Sequence, residues 1–550
     1  MSEVDVLLVL PPMYQSGRIP DYNPKEPMGL MYLAGELRQN GYSVEILDAD
    51  LLALTVGETL RRILEKRARV IGFSVMQRAL PSVKMLVEGL DDVKPRSHIS
   101  CGGFTATLSA RYILQSIPQV DSIVLGEGEL TFTNLVSQLL EGKTWQETTG
   151  IAYRHDGVVI VNPPGHKPDL DSLTRPTREL LPVCLEKTNY ATVLASRGCY
   201  GVCTFCCNCS FERCSLGPNW RGRKPGDVVD ELEAIHRDHG VRVFKFNDPN
   251  LFGPGSEGRQ HVVEICQDII RRGLGGLHLM AFCRSNDIDE EIVRLMKKAG
   301  FERLLIGIET ISADALRLFR KGETPETVRR TIQILRESDI DLVPGFMIFN
   351  PYTTIETLKQ DLAFLHEYGH TPTLAKALRV FDGIPLQGML ESEGRLVWRN
   401  PIEGYHEYLV SPDVAAIYMA LKTVAVEWLD TFKKAYQGEL WGIKKAPSFK
   451  ERQGFDILNR LTFNLESRLL TAFITWMESG FTLQDIVGLM TDTRRRLRYL
   501  EDFTLMASDE NQPVLSSQIL SSRELAGKIH TILTHKVYRT FPEQYRWKDD

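Results

Sequence analysis

The chain has 550 residues, 43% apolar and 25% charged, the composition of an ordinary folded protein and too much sequence for a single hydrophobic core. Its net charge of −6 carries no basic excess, so nucleic acid is not expected as a main partner, and no apolar run is long enough for a membrane span. Five of the ten cysteines fall between Cys199 and Cys209. With no signal peptide at the start, that clustering predicts a metal site in a reducing cytoplasm rather than a disulfide framework.

The first 145 residues alternate strand and helix patterns. Val4 to Leu10 reads as an apolar strand ended by Pro11 and Pro12, and Gly29 to Arg38 as a helix stopped at Asn40-Gly41. Strands are expected at 43–48, 70–74, 99–103 and 122–126, with helices at 56–67 and 80–90 between them. Such alternation predicts a doubly wound parallel sheet, a Rossmann-like α/β domain with its ligand at the carboxyl ends of the strands. The unusual residues sit at those ends: Pro11 and Pro12, Ser74 to Arg78, Gly102 and Gly103, and Gly126 with Glu127. Glycine there lets the backbone approach a bulky, flat ligand. A scaffold with no cofactor would carry the same pattern. Residues 146–184 read as a linker.

A second domain is expected over residues 185–395. An apolar strand at 191–196 leads into Cys199, Cys203 and Cys206, spaced C-x3-C-x2-C. Three thiolates so close together can hold three irons of a [4Fe–4S] cube, leaving the fourth iron open to a small molecule. The alternative is a zinc knuckle, with Cys207, Cys209 or Cys214 as the fourth ligand. Helices follow at 227–235, capped by Asp227, at 287–299 and at 324–337, and strands at 241–247, 278–282, 303–309 and 341–349. These β/α repeats predict a partial parallel barrel with its active residues at the strand C-termini. The remainder, 396–550, reads as long amphipathic helices at 412–436, 451–479 and 481–503, with Arg494 to Arg496 on a solvated face. Tyr405, Tyr408, Tyr418, Trp428 and Trp441 are candidates to cover the barrel mouth, or core residues.

The cysteine loop, together with the order PP, GL..LA..L, GY.VEILD, GFS, GG and D.IVLGEGE, resembles the cobalamin-dependent branch of the radical S-adenosylmethionine superfamily over residues 4–395. The resemblance implies three cofactors: a [4Fe–4S] cluster on Cys199, Cys203 and Cys206, S-adenosylmethionine, and cobalamin. For S-adenosylmethionine it implies contacts from Phe205 beside the adenine, from Asp248 and Asn250 facing the site, from Arg284 near the carboxylate and from Glu309 at the ribose or amino group. For cobalamin it implies Pro11, Pro12, Ser74, Gln77, Arg78, Gly102, Gly103, Gly126 and Glu127, with Met76 also near the lower face of cobalt. The segment GFMIFNPYTT stands where the family usually has a glycine-rich turn. None of the twelve histidines lies in a D-x-H-x-x-G motif, so a cobalamin without a histidine lower ligand is expected. Cys207, Cys209 and Cys214 are read as spare thiols. The methylthiotransferases, which also resemble this architecture, place three cysteines in the first domain for an auxiliary cluster, where this chain has only Cys101.

The activity implied is transfer of a methyl group from S-adenosylmethionine, by way of methylcobalamin, to an unactivated carbon or phosphorus of a small biosynthetic intermediate. An electron donor such as flavodoxin or ferredoxin is implied with it. A rearrangement or cyclisation using the same cofactors, and a non-catalytic iron–sulfur or corrinoid sensor, are the alternatives.

Overall fold

The computed structural model describes residues 4–13, 25–90, 96–368, 374–400, 404–422 and 453–480. The expected helix at 481–503, Trp428, Trp441 and Arg494 to Arg496 lie outside them. The chain forms two compact units. One comprises Met1–Gly307, Leu316–Val343 and Arg379–Leu409, the other Ile308–Ala315, Pro344–Leu378 and Val410–Asp550.

The first unit opens on strands β1 (Val6–Leu10), β2 (Val44–Asp48), β3 (Val70–Ser74), β4 (His98–Gly102) and β5 (Ser122–Val124). They are parallel in the order β2-β1-β3-β4-β5. Alternate side chains of β1 explain its unbroken apolar run. Leu7 and Val9 join Ile71, Phe73 and Ile99 in one core, while Val6 and Leu8 join Val44, Val70 and Phe132 in another. Each core is closed by helices, among them Leu80–Leu90 on the first face and Met28–Gln39 on the second. A sheet covered on both faces needs apolar residues at every position. The strand order reverses direction between β1 and β3, which places the crevice for a ligand at the carboxyl ends of those two strands.

The stretch expected as a linker is not one throughout. β6 (Ile151–His155) and β7 (Val158–Val161) add antiparallel to β5 and complete a seven-stranded sheet. The turn Asp156-Gly157 between them, with both residues at positive φ, is the hairpin signal in the sequence.

The second sheet has the order β14-β13-β12-β11-β8, built from β8 (Tyr190–Val193), β11 (Val243–Phe246), β12 (His278–Arg284), β13 (Phe301–Glu309) and β14 (Asp341–Phe346). The pairs from β8 to β13 are parallel, with helices Pro225–His239, Gly255–Arg271 and Glu290–Lys298 between strands, the α/β arrangement of a partial barrel. A single parallel bridge, Phe349 to Ala377, follows β14. Asp227 does not cap its helix. Lys224 is the cap residue, Pro225 fills the first turn, and Asp227 lies inside that turn, where a carboxylate still favours the helix N-terminus. Between β8 and β11 a short hairpin forms from β9 (Ser196–Gly198) and β10 (Trp220–Gly222). The run expected as one strand at 191–196 therefore breaks after Val193, because residues 194–195 turn the chain into the hairpin.

Strands β15 (Val380–Phe381), β16 (Leu396–Arg399) and β17 (Tyr405–Tyr408) form a small antiparallel sheet in the same unit. In the second unit helices Ile355–Tyr368, 412–422 and Gln453–Glu478 are described. Tyr418 packs its ring 5.0 Å from that of Phe349, a core contact.

Candidate active site at the cysteine loop

Two pairings aim the cysteine loop. Gly198 pairs with Trp220 across the β9–β10 hairpin, and the Cys199 amide donates to the Asn219 carbonyl at 3.1 Å. Gly198 has φ +79°, a conformation open to glycine, and a side-chain carbon there would lie 1.8 Å from the Asn219 oxygen. Past the loop, Cys206 begins the helix Cys207–Glu212. Thr204 is anchored in between, its amide on the Phe319 carbonyl at 2.9 Å and its hydroxyl on the Leu318 carbonyl at 3.2 Å.

The loop is shaped to hold sulfur. The Gly201 amide donates to Cys199 Sγ at 3.3 Å, and Arg284 Nη1 donates to Cys203 Sγ at 3.3 Å. Gly201 leaves the room this needs, since a Cβ there would stand 2.5 Å from Arg284 Nη1. Burial pushes the Cys199 and Cys203 thiols up, against the Arg284 charge that draws both down. Three thiols in one loop, two of them already met by hydrogen-bond donors, fit three irons of a [4Fe–4S] cluster.

The predicted S-adenosylmethionine residues have specific surroundings. Phe205 is half-buried, edge-on to Phe319 with ring centres 5.2 Å apart. Arg284 is buried, pairs with Glu323 at 3.5 Å and donates to the Lys321 carbonyl. Asp248 is enclosed: it accepts from the amides of Ala195 and Ser196 and from the Ser196 hydroxyl at 2.6 Å. Burial raises its carboxyl to about 6 despite those donors. It holds the turn that delivers Cys199 and exposes only 1% of its surface. Asn250 donates to the Phe252 carbonyl and to Asp287, which also accepts from the Tyr200 hydroxyl at 2.6 Å, and its Oδ1 is buried with no hydrogen-bond partner. Glu309, in the second unit, ends β13 at φ +71°, and its carbonyl accepts from Met347 at 2.7 Å. Thr310 and Ile311, which follow it, are both bonded to the buried carboxylate of Asp361. Asp361 gave no signal in the sequence, because it sits fifty residues away inside a helix.

The predicted cobalamin residues lie along one edge of the first sheet. Pro11 follows β1, Ser74 ends β3, Gly102 and Gly103 close β4, and Gly126 and Glu127 follow β5. Gly103 and Gly126 have positive φ, and a side chain at Gly126 would strike Ser215 Oγ. After Met76, Gln77 begins a single turn of 3₁₀ helix, Gln77–Ala79, in which Arg78 is exposed. Glu127 is engaged by two arginines. Arg197 Nη1 pairs with it at 2.8 Å, and Arg221 pairs with its other oxygen. Burial alone would raise the Glu127 carboxyl, but the two guanidinium groups hold it below the ordinary range.

Of the three further cysteines, Cys209 donates to the Gly201 carbonyl at 3.0 Å and hydrogen-bonds with Cys206, while Cys214 donates back to the Ser210 carbonyl at 3.3 Å. Both act as local ties.

A parallel sheet with glycines at its carboxyl edge and a three-cysteine loop at the head of a second β/α sheet point to an enzyme that unites several cofactors. The family models agree: residues 22–136 match the B12 binding domain and residues 193–365 the radical SAM superfamily. The chain belongs to the cobalamin-dependent radical S-adenosylmethionine enzymes, whose cofactors are cobalamin, S-adenosylmethionine and a [4Fe–4S] cluster. It is similar to an uncharacterized methyltransferase of Pyrococcus horikoshii, 26% identical over 66% of this chain and 78% of that one. It is also similar to the anaerobic magnesium-protoporphyrin IX monomethyl ester cyclase of Synechocystis, 33% identical over 58% of this chain and 64% of that one. Among solved structures the fold matches OxsB, a cobalamin-dependent S-adenosylmethionine radical enzyme, with a TM-score of 0.72 at 17% identity over 96% of this chain and 83% of that one. The methyltransferase TsrM of Kitasatospora setae matches with a TM-score of 0.60 at 20% identity, over 72% of this chain and 77% of that one. No helix among the described residues is long and apolar enough to cross a membrane.

Proposed function

We propose that the protein transfers a methyl group to an unactivated carbon, or to phosphorus, of a small biosynthetic intermediate. The observation that carries this reading is the direct pairing of Arg197, two residues before Cys199, with Glu127 at the carboxyl end of β5. It brings the cluster loop to the ligand edge of the B12-type sheet, as an enzyme that must combine radical and methyl chemistry requires. When bound, the cluster and cobalamin supply that chemistry between them. Cys199, Cys203 and Cys206 hold the cluster, and Arg284 and the Gly201 amide orient its sulfurs. Phe205 and Asn250 contact S-adenosylmethionine. Pro11, Ser74, Gly102 and Gly103 form the cobalamin edge. The chain positions these groups and keeps water out. A one-electron carrier of flavodoxin or ferredoxin type delivers the reducing equivalent.

The test is stoichiometric. Anaerobic turnover should release S-adenosylhomocysteine and 5′-deoxyadenosine in about equal amounts, with one methylene added to the product mass. A product of unchanged methyl count, formed without S-adenosylhomocysteine, would establish the second reading. That reading is a cyclisation or rearrangement, favoured by the similarity to the monomethyl ester cyclase.

A further inference from the structure

The ion pairs that join the two sheets are more extensive than one contact. Arg197 Nη2 also pairs with Glu129 at 2.7 Å, so both oxygen-bearing side chains of the Gly126–Glu129 segment close on one guanidinium. The same guanidinium lies 4.5 Å above the ring of Tyr32, from helix Met28–Gln39 of the first sheet. Arg221, across the hairpin in register with Arg197, takes the second oxygen of Glu127. All are largely buried: the side chains of Glu127, Glu129, Arg197 and Arg221 expose 7%, 4%, 14% and 12%. Phe104, after β4, and Phe211, in the helix after Cys206, also join the two sheets, with ring centres 4.3 Å apart and the rings tilted by 33°.

A buried network of this kind adds little net stability, because taking four charges out of water offsets their attraction. What it imposes is geometry. Each guanidinium fork donates to carboxylates only in particular directions, and β9 carries Arg197 two residues from the first cluster cysteine. We infer that Glu127, Glu129, Arg197 and Arg221 form a spacer clamp that fixes the distance between the cluster loop and the cobalamin edge of the first sheet. Glu127 is then a positioning residue, not a cobalamin contact. The inference rests on the cofactor assignment given under Proposed function.

The test uses the full chain, reconstituted anaerobically with cluster and cobalamin. Pulsed dipolar electron paramagnetic resonance between the reduced cluster and cob(II)alamin reads the spacing directly. Wild type should give one narrow distance distribution. Glu127→Gln and Arg197→Lys should keep both cofactors but broaden or shift the distribution, and release several-fold more 5′-deoxyadenosine per product as the radical goes unused. Should Glu127→Gln fail to accumulate, Arg221→Lys leaves the Arg197 pairs in place and is read the same way. Wild-type distances and coupling in these variants overturn the clamp. Loss of cobalamin from Glu127→Gln, with the cluster intact, also overturns it and makes Glu127 a cofactor contact. A wild-type protein that binds no cobalamin overturns the underlying assignment itself.

Discussion

Replacing Gly198 with alanine should cost the protein its cluster while leaving most of its fold in place. The added Cβ would lie 1.8 Å from the Asn219 carbonyl oxygen, where contacts below 3.0 Å do not occur, so the two main chains must part by 3.0 less 1.8, about 1.2 Å. The Cys199 amide bonds to that same oxygen at 3.1 Å, and such a shift takes it past hydrogen-bonding range. An alanine held at φ +79° costs about 1 kcal/mol by itself, and an amide left without a partner about 1–3 kcal/mol more. Together these amount to about 3 kcal/mol, concentrated on the residue next to the first cluster ligand. The assay is iron and sulfide per chain after anaerobic reconstitution, beside Gly226→Ala as a control. Gly226 lies in the helix Pro225–His239 with open space where a Cβ would stand, so alanine there should be neutral or mildly stabilising. Gly198→Ala should hold far less than one cluster per chain and Gly226→Ala the wild-type amount. A Gly198→Ala protein with a full complement of iron and an unchanged reduced-cluster spectrum would refute the reasoning.

Wild-type protein should take up about four irons per chain and the Cys199, Cys203, Cys206 triple alanine variant almost none, read by iron analysis. Electron paramagnetic resonance of the cob(II)alamin form should show no nitrogen splitting from a protein histidine. His98, the histidine of the five parallel strands, stands at the amino end of β4, bonded to Ser122 at 2.9 Å and driven down to about 4 by burial, at the opposite edge from the ligand crevice. Burial raises the Asp361 carboxyl to about 7. Between pH 4 and 7 the folded chain therefore keeps a proton that the unfolded chain has lost, and stability falls as pH rises through that window, by about 4 kcal/mol at most. Asp361→Asn should abolish that decline, so its melting temperature relative to wild type should climb from pH 5 to pH 8. A constant difference would place the titration elsewhere.

What the sequence determined by itself is local. A strand buried on both faces must be apolar at successive positions, so the residues of β1 and β3 announce a covered parallel sheet on their own. The helix Leu80–Leu90 was legible to the residue from its periodicity, and three cysteines within eight residues announce a metal site, which the flanking motifs make a cluster rather than zinc. The edge carrying Pro11, Ser74, Gly102 and Gly126 follows from the strand ends alone. What the tertiary structure decided is which of these residues face a ligand and which face one another. Asp248 and Glu127 look alike in the sequence, two acids at strand ends, yet both are occupied by protein groups. The partners of Glu127 are 70 and 94 residues away, and those of Asp361 about 50. Ion pairs at such separations depend on two sheets meeting in one register, and no periodicity or spacing along the chain encodes that. The hairpin β6–β7 had a local signal in Asp156-Gly157, and the tertiary structure decided only that it adds to the edge of the sheet beside β5. Arg197 is the one charge between Ala191 and Cys199, and a buried guanidinium demands a carboxylate.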